Sequence, residues 1–525
     1  MRILSPYFVS LLGGILLFLA WYPNGITVLI FFALLPFFYL SSSKTFHPLN
    51  LFTSLFFGFF LFHLLAAWWM YSSTIAGSLM AHVFNAGYMA IVFLTWAYVR
   101  RFIASKMLQL LILFSFWLTF EYMHHFWELA WPWFTLGHVF AAETAWIQWY
   151  RFTGSLGGSA WILIVNGILY ISFGLLLEKK YRNSLLSAIL AVFVILIPIV
   201  ISSQIDAGSS SDKRFLSVLI VQPNIHPQKE KFAGMSPEQQ LERAIKVMQK
   251  NINANTDLIV FPETMLIESI NEKDPDSNSF IQTLRNSISQ YPDVAIFTGA
   301  FTKRTAQWAT SDSKALIMDS IPFVLYNSAL LITKDSIQIY HKNRLVPLVE
   351  KQPFHRLMLP VRRFIEQAGG FFGSYGTFNE RRDFQFNDSI FLSPLICFES
   401  AFGNYNAGAA MNSGFIVLIT NDGWWSSSGG YLQHLQLARL RAIETGRWIV
   451  RCANTGVSSV IDARGNILIA TKYMHEETIS YKIPIIDEST FYSLHHKKIE
   501  IVPLIMSLLF GLGLIFRRFI LKNMK

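Results

Sequence analysis

Hydrophobic and polar positions follow two rhythms in this chain. Up to Leu177, and again over 184–201, apolar residues run in long stretches with isolated charges among them. From Asp212 to Lys498 short apolar runs alternate with polar ones. A spanning helix needs about 20 mostly apolar residues. Seven stretches before Asp212 approach that length, over 6–22, 24–40, 49–70, 77–99, 107–126, 159–177 and 184–201, and an eighth covers 499–516. Glu500 lies at the end of the eighth, where a carboxylate reaches the interface. The first stretch is followed almost at once by the second, with no small-residue cleavage site between them, so it reads as retained rather than as a signal peptide. The pattern predicts a membrane domain over 1–210 with seven transmembrane helices, a polar domain over 211–498, and a last transmembrane helix with a basic tail over 499–525.

Lys and Arg in the short loops give the orientation, because cytoplasmic loops carry the positive excess. Alternate loops collect Arg2, Lys44, then Arg100, Arg101 and Lys106, then Lys179, Lys180 and Arg182, and finally Arg517, Arg518, Lys522 and Lys525; the opposite short loops hold only Arg151. Eight helices therefore put both termini in the cytoplasm and the polar domain outside. Trp127, Trp131, Trp133, Trp146 and Trp149 crowd one outer loop and read as an interfacial belt, with a lipid entrance as the alternative. His63, Asn85, Glu121 and Asn166 are costly in hydrocarbon unless they face the bundle. His124 and His125 are adjacent on a helix and point about 100° apart, which argues against a shared metal.

Composition sharpens the picture. Apolar residues make up 53% and charged residues only 14%, against roughly 25% charged in an average soluble chain. Disorder and a disulfide-stapled scaffold are excluded by the apolar content and by the presence of only Cys397 and Cys452. The net charge of +10 lies largely in short loops beside apolar stretches, so anionic headgroups account for it and nucleic acid is not an expected partner.

In the polar domain, runs rich in Val, Ile and Phe predict strands over 215–221, 257–261, 294–298, 328–333, 337–341, 390–396, 416–420, 448–453 and 457–462. Helices are expected over 237–251, 279–289, 401–412 and 433–446. Lys334, Asp335 and Ser336 read as a hairpin turn. Strands alternating with helices imply a layered α/β domain. The sequence contains no P-loop, no GxGxxG after a strand, no zinc spacing and no GxSxG elbow.

Three strand ends carry reactive groups. Glu263 follows the apolar run 258–261 and a proline; Lys342 opens a basic segment that reaches Glu350; Cys397 stands where an apolar run meets a helical segment. Taken singly, each has a plain reading: a first-turn acid favoured by a helix dipole, a solvated basic edge, a buried inert thiol. A thiol at a helix N-terminus is expected to favour thiolate. Together the three supply what a thiol nucleophile needs, namely a base, a cation for the oxyanion, and the sulfur itself. His341 and His434 are available, with ordinary places on a strand edge and a helix face.

These segments resemble the nitrilase superfamily, whose members share a Glu-Lys-Cys triad on a four-layer αββα sandwich. Pro262-Glu263-Thr264, Tyr340-His-Lys342 followed by Val346-Pro347, and Ile396-Cys397-Phe398-Glu399 match that pattern in order, as do Asn421-Asp-Gly-Trp-Trp425, Gln433-His-Leu435, Arg439-Leu-Arg-Ala-Ile-Glu444 and Asn454-Thr-Gly456. With the flanking helices, Trp131-Pro-Trp133 and Asn166, the whole chain resembles the apolipoprotein N-acyltransferase family. It departs at Lys351-Gln-Pro-Phe-His-Arg356, at Phe398 where tyrosine is common, and at Phe232 where tryptophan is frequent.

The resemblance implies a bacterial inner-membrane enzyme with its catalytic domain on the periplasmic side. Cys397 would take an acyl chain from a phospholipid, typically phosphatidylethanolamine, as a thioester. The α-amine of a diacylglyceryl-cysteine on an apolipoprotein would then accept it. Glu263 would be general base and acid, Lys342 the oxyanion cation, and Glu350 an acid that orients Lys342 or assists proton transfer; Glu399, Phe398, Phe232, Trp424 and Trp425 would contact substrate. No metal or other cofactor is expected. Phe354, Leu357, Met358, Phe371 and Phe372, with Trp424 and Trp425, are candidates for loops dipping into the outer leaflet. Cys452 is expected to be buried and unpaired. The alternatives are a membrane-tethered amidase and a noncatalytic lipid-binding scaffold.

Overall fold

The computed structural model describes residues 5–523 apart from 22, 24, 44–45, 206–213, 306–314, 319–320, 355–359, 361–373, 379–380 and 427. The expected domain boundary at 210–211 and the candidate loop residues Leu357, Met358, Phe371 and Phe372 lie outside the described residues. The chain forms two compact units: Met1–Trp68, Ser78–Ile205 and His495–Lys525 in one, Trp69–Gly77 and Asp206–Leu494 in the other.

In the first unit the eight expected stretches fall on helix. Among the described residues, five helices are long and apolar enough to cross a membrane, Pro48–Ala66, Gly77–Phe102, Tyr150–Leu177, Tyr181–Gln204 and Phe491–Arg517, with Pro6–Trp21 and Thr27–Ser42 apolar but shorter. The second stretch is not one regular helix. It divides into Ile30–Ala33 and Leu35–Ser42, because Pro36 brings no N–H and its ring displaces the preceding turn. The groups freed at the break are met by Asn166: Leu34 N donates to its Oδ1 at 3.1 Å, and its Nδ2 donates to Ile30 O at 3.0 Å. His63, Asn85, Glu121, Asn166 and His124 are all buried. The loop carrying the expected aromatic belt folds into short 3-10 turns, Pro132–Phe134, Leu136–Ala142 and Thr144–Trp146, with Trp127, Trp146 and Trp149 half-buried. Trp131 and Trp133 are buried there and stack on each other at 5.5 Å, because ring packing and the hydrogen bond from Leu136 N to Glu121 Oε1 hold the loop inside.

The second unit is built on strands β1 (Phe215–Gln222), β2 (Leu258–Val260), β3 (Leu266–Asn271), β4 (Ala295–Thr305), β5 (Ala315–Met318), β6 (Ile321–Ile332), β7 (Ile337–His341), β8 (Phe384–Asn387), β9 (Ile390–Ile396), β10 (Phe415–Thr420), β11 (Ile449–Ala453), β12 (Ser459–Ile461), β13 (Ile467–Ala470) and β14 (Glu477–Pro484). One sheet runs β14-β1-β2-β4-β6-β5, with β3 beside β4 and β7 beside β6; the other runs β13-β12-β11-β10-β9-β8. Residues that alternate along a strand face opposite sides, and the two buried faces are sorted accordingly. Leu216, Val218 and Ile220 of β1 meet Phe415, Val417 and Ile419 of β10 in the core between the sheets. Leu219 and Val221 face helices Pro237–Gln249 and Ser279–Ser287, while Ile416 and Leu418 face helix Gly430–Thr445. The result is helix, sheet, sheet, helix. Cys452 lies in the inter-sheet core, with its Sγ 3.3 Å from both Val221 O and Val260 O.

Candidate active site

The reactive residues stand where strands end. In the first sheet β2 leads into Phe261-Pro262-Glu263, and β7 leads into Lys342, whose N–H still pairs with Asn327 O of β6 at 2.8 Å. In the second sheet β9 leads into Cys397. Gly299 on β4 lets the Glu263 turn come close, since a Cβ there would lie 2.6 Å from Glu263 Cα and 2.4 Å from Thr264 N.

Lys342 Nζ donates to Glu263 Oε1 at 3.0 Å and to Glu350 Oε1 at 2.8 Å, all three side chains being buried. Asn327 Nδ2 reaches the same two oxygens at 2.9 and 3.1 Å. Glu350 Oε2 accepts from Val346 N at 2.9 Å and so closes its own turn. Burial by itself would lower the Lys342 pKa, but Glu263 and then Glu350 outweigh it and hold the ammonium well above its ordinary range. Lys342 is thus a fixed cation rather than a base.

Cys397 feels both charged neighbours. Burial pushes its thiol up, Glu263 pushes it further, and Lys342 pulls it back only in part. The expected thiolate is therefore corrected: the resting group is a thiol, because desolvation at this turn outweighs the neighbouring cation. The helix thought to follow it directly is a 3-10 turn, Cys397–Ala401, before helix Gly403–Ala409. With the thiol pKa raised and the ammonium favoured, a carboxylate is the group placed to take the thiol proton. Both donors to Glu263 use Oε1, so Oε2 is the oxygen without a donor among the described residues.

Glu399 is fully buried and spent on the protein. Its Oε1 accepts from Tyr340 OH at 2.7 Å and Asn343 N at 2.8 Å, and its Oε2 from Ile396 N at 2.8 Å. The expectation that it contacts substrate gives way to a tie between the Lys342 segment and the Cys397 turn. Phe398 is buried too, edge-on to Phe402 at 5.2 Å, and so has an apolar neighbour already. Phe232 is half exposed and stacks on Trp424 at 5.7 Å. Trp425 packs against Trp69 at 4.8 Å and against the His434 ring at 5.5 Å. Phe354 is exposed.

Sequence reasoning missed four groups. Asn327 lies one residue before the expected start of its strand, yet a carboxamide amid apolar residues was a signal. Lys231 is buried, donating to Glu263 O at 2.9 Å and Thr264 Oγ1 at 2.7 Å; its place beside Phe232 gave no hint. Asp422 and Arg451 form a buried pair at 2.6 Å behind the cysteine turn.

A thiol, a buried lysine and a carboxylate at strand ends of an αββα sandwich, with a second carboxylate on the loop beyond Lys342, make a candidate carbon–nitrogen hydrolase centre. Residues 218–487 match the carbon-nitrogen hydrolase family, and the chain belongs to that family. Residues 13–168 match the apolipoprotein N-acyltransferase N-terminal domain. The chain is similar to the apolipoprotein N-acyltransferase of Chlorobaculum tepidum, 27% identical over 510 residues that cover 94% of each chain. It is also similar to the apolipoprotein N-acyltransferase of Pasteurella multocida, 25% identical over 82% of this chain and 80% of that one. A solved amidase from Nesterenkonia aligns with 54% of this chain and 95% of its own at 12% identity and a TM-score of 0.34.

Proposed function

We propose that this protein is a membrane-bound acyltransferase that moves a fatty acyl chain from a phospholipid to the N-terminal amine of a lipoprotein. One observation carries the reading: a single chain joins the Glu263–Lys342–Glu350 cluster and its thiol to an N-terminal region of the acyltransferase type. A site retained in the membrane stays within reach of lipid, whereas a small soluble amide would gain nothing from that tether.

The chemistry follows from the charges. Glu263 takes the proton of Cys397 as the sulfur attacks an ester carbonyl of the phospholipid, phosphatidylethanolamine being the expected donor. Lys342 stabilises the oxyanion. Collapse breaks the C–O bond, Glu263 returns the proton to the departing lysophospholipid alkoxide, and the acyl chain is left on sulfur as a thioester. In the second half the α-amine of a diacylglyceryl-cysteine attacks the thioester, Glu263 removes the amine proton, and the sulfur leaves as the restored thiol. Glu350 and Asn327 hold Lys342 and Glu263 in place. Phe232 and Trp424 supply an apolar contact for the acyl chain. The chemistry is assigned to the periplasmic face of the inner membrane.

The test is mass spectrometry of purified protein after exposure to phospholipid vesicles, followed by a diacylglyceryl-cysteine peptide. Expected are an acyl adduct on the Cys397 peptide, its transfer to the peptide amine, and loss of both in Cys397→Ala. Free fatty acid without N-acyl peptide would point to hydrolysis instead, and no adduct on Cys397 would end the catalytic reading.

A further inference from the structure

Cys397 has a φ of +50°, a left-handed backbone that side-chain-bearing residues rarely adopt. Something must hold it, and the carbonyl of the same residue shows what does. Ser400 Oγ donates to Cys397 O at 2.9 Å, and His434 Nε2 stands 3.1 Å from that oxygen and 2.9 Å from Ser400 Oγ. On the other edge of the ring, Nδ1 faces Asp422 Oδ1 at 2.8 Å. Asp422 is held in turn by Arg451 Nη2 on Oδ2 at 2.6 Å and by Thr420 Oγ1 on Oδ1 at 2.7 Å. Ser400, His434, Asp422, Arg451 and Thr420 are all fully buried, so no water substitutes for a missing partner at little cost.

We propose that His434, oriented by Asp422 and joined by Ser400, is the positioning residue of the nucleophile: through the carbonyl of Cys397 it fixes the left-handed turn from which the sulfur attacks. It acts through the main chain and touches no substrate.

Three features support this. The ring bridges separate parts of the fold, since His434 belongs to helix Gly430–Thr445, Asp422 follows β10, and Cys397 follows β9. A relay of this kind therefore registers the nucleophile against the whole second sheet. The carboxylate at its base is built to stay ionised: burial would raise Asp422, but Arg451 and then His434 outweigh burial and hold it below the ordinary carboxylate range. A charged acceptor on Nδ1 fixes the ring orientation. Finally, the Cys397 turn is held on its other side by Glu399, through Ile396 N, so the residue of unfavourable φ is clamped from two directions.

The inference rests on Cys397 being the nucleophile but on no particular acyl donor, and its test uses iodoacetamide, which reports the thiol alone. Asparagine places an amide where Nδ1 faces Asp422 but does not extend to the Cys397 carbonyl, whereas glutamine places one where Nε2 meets that carbonyl and Ser400 Oγ. Alkylation of Cys397 in the purified full-length protein, followed by peptide mass spectrometry, is expected to slow on the order of 10²-fold in His434→Asn, the scale for misplacing a reacting group. His434→Gln should recover most of the rate, with both variants normalised to folded protein by thermal unfolding. A residue that only filled the core would lower the folded fraction and leave the rate per folded molecule unchanged. Ser400→Ala, which removes one hydroxyl from the same carbonyl, keeps the test alive if the histidine variants do not fold, and it too should slow alkylation. Wild-type rates per folded molecule in Ser400→Ala, or equal rates in the asparagine and glutamine variants, overturn the proposal. Failure of acyl transfer with the alkylation contrast intact would count against the proposed function and not against this relay.

Discussion

Lys231 holds its nitrogen on the carbonyl oxygen of Glu263 and on the hydroxyl of Thr264, a residue itself bent to a φ of +48°. It braces the turn that carries Glu263, and it does so in a place that disfavours its own charge. Burial, offset only in part by Glu263, brings its pKa down to about 7, against roughly 10.4 in an unfolded chain. Between those values the unfolded chain binds the proton that the folded one has released, so this group makes stability rise with pH from about 7 toward 10 and makes no change below that window. Replacing Lys231 with Met removes the titration. The unfolding midpoint of the wild type in detergent is therefore expected to gain on that of Lys231→Met as pH rises from about 7 to 10. A constant or shrinking difference would show that the lysine keeps its proton in the fold.

At the scale of elements, two ties decide whether neighbouring segments keep their register. Glu399 joins the segment after β7 to the turn after β9 with acceptor oxygens only, taking Tyr340 OH, Asn343 N and Ile396 N. Burial and then the Glu399 charge keep the Tyr340 phenol protonated as a donor. Glu399→Gln places an N–H against donors that now point at a carboxylate, and is expected to cost about 1–3 kcal/mol in stability, read by denaturant or thermal unfolding, together with slower alkylation of Cys397. Asn166 does the analogous work at the break in the second membrane stretch. Asn166→Leu leaves Leu34 N–H and Ile30 C=O without their partner in a setting poor in water, where each unmet group costs several kcal/mol; the yield of folded protein from membranes is expected to collapse while Asn166→Gln retains part of it. Neither tie was legible beforehand, although both residues were noticed. Apolar run length located the helices, and Val/Ile/Phe runs located the buried strands such as β7, β9 and β10 nearly to the residue. It did not reveal β3, β5, β8, β13 or β14. Those strands are short, polar or at sheet edges, and pairing with a neighbour rather than their own content makes them strands, as the β1–β14 ladder does for Glu477–Pro484. Glu263, Lys342 and Cys397 were readable as candidates because strand ends carry them in order. The relay behind Cys397 was not, since His434 on a helix looks like any helix-face residue until Asp422 and Ser400 are seen around it.

At the scale of the whole molecule, charge in the short loops assigns sides to the membrane. Lys179 and Lys180 lie in the turn between helices Tyr150–Leu177 and Tyr181–Gln204, and Arg182 in the first turn of the latter, with Lys106 and Lys180 both paired to Glu178. By the excess of Lys and Arg this turn is expected on the cytoplasmic side, and the proposed eight-helix arrangement would put residues 214–494, one crossing further on, on the opposite face. The proposed acyl transfer needs that outcome, because a lipoprotein acceptor would be met only where it has been exported. Two exposed positions separate the alternatives: Asp276 in the catalytic unit and Lys180 in the turn, each with more than half of its side chain in the open. In a Cys397→Ser background, where Cys452 is shielded in the core, a membrane-impermeant maleimide added to spheroplasts is expected to label Asp276→Cys and to leave Lys180→Cys untouched until the membrane is opened. Labelling in the reverse order would put the thiol centre on the cytosolic side and remove its access to the proposed acceptor. Labelling of both without permeabilisation would mean an even number of crossings between the two positions, and the eight-helix count would fall with the orientation.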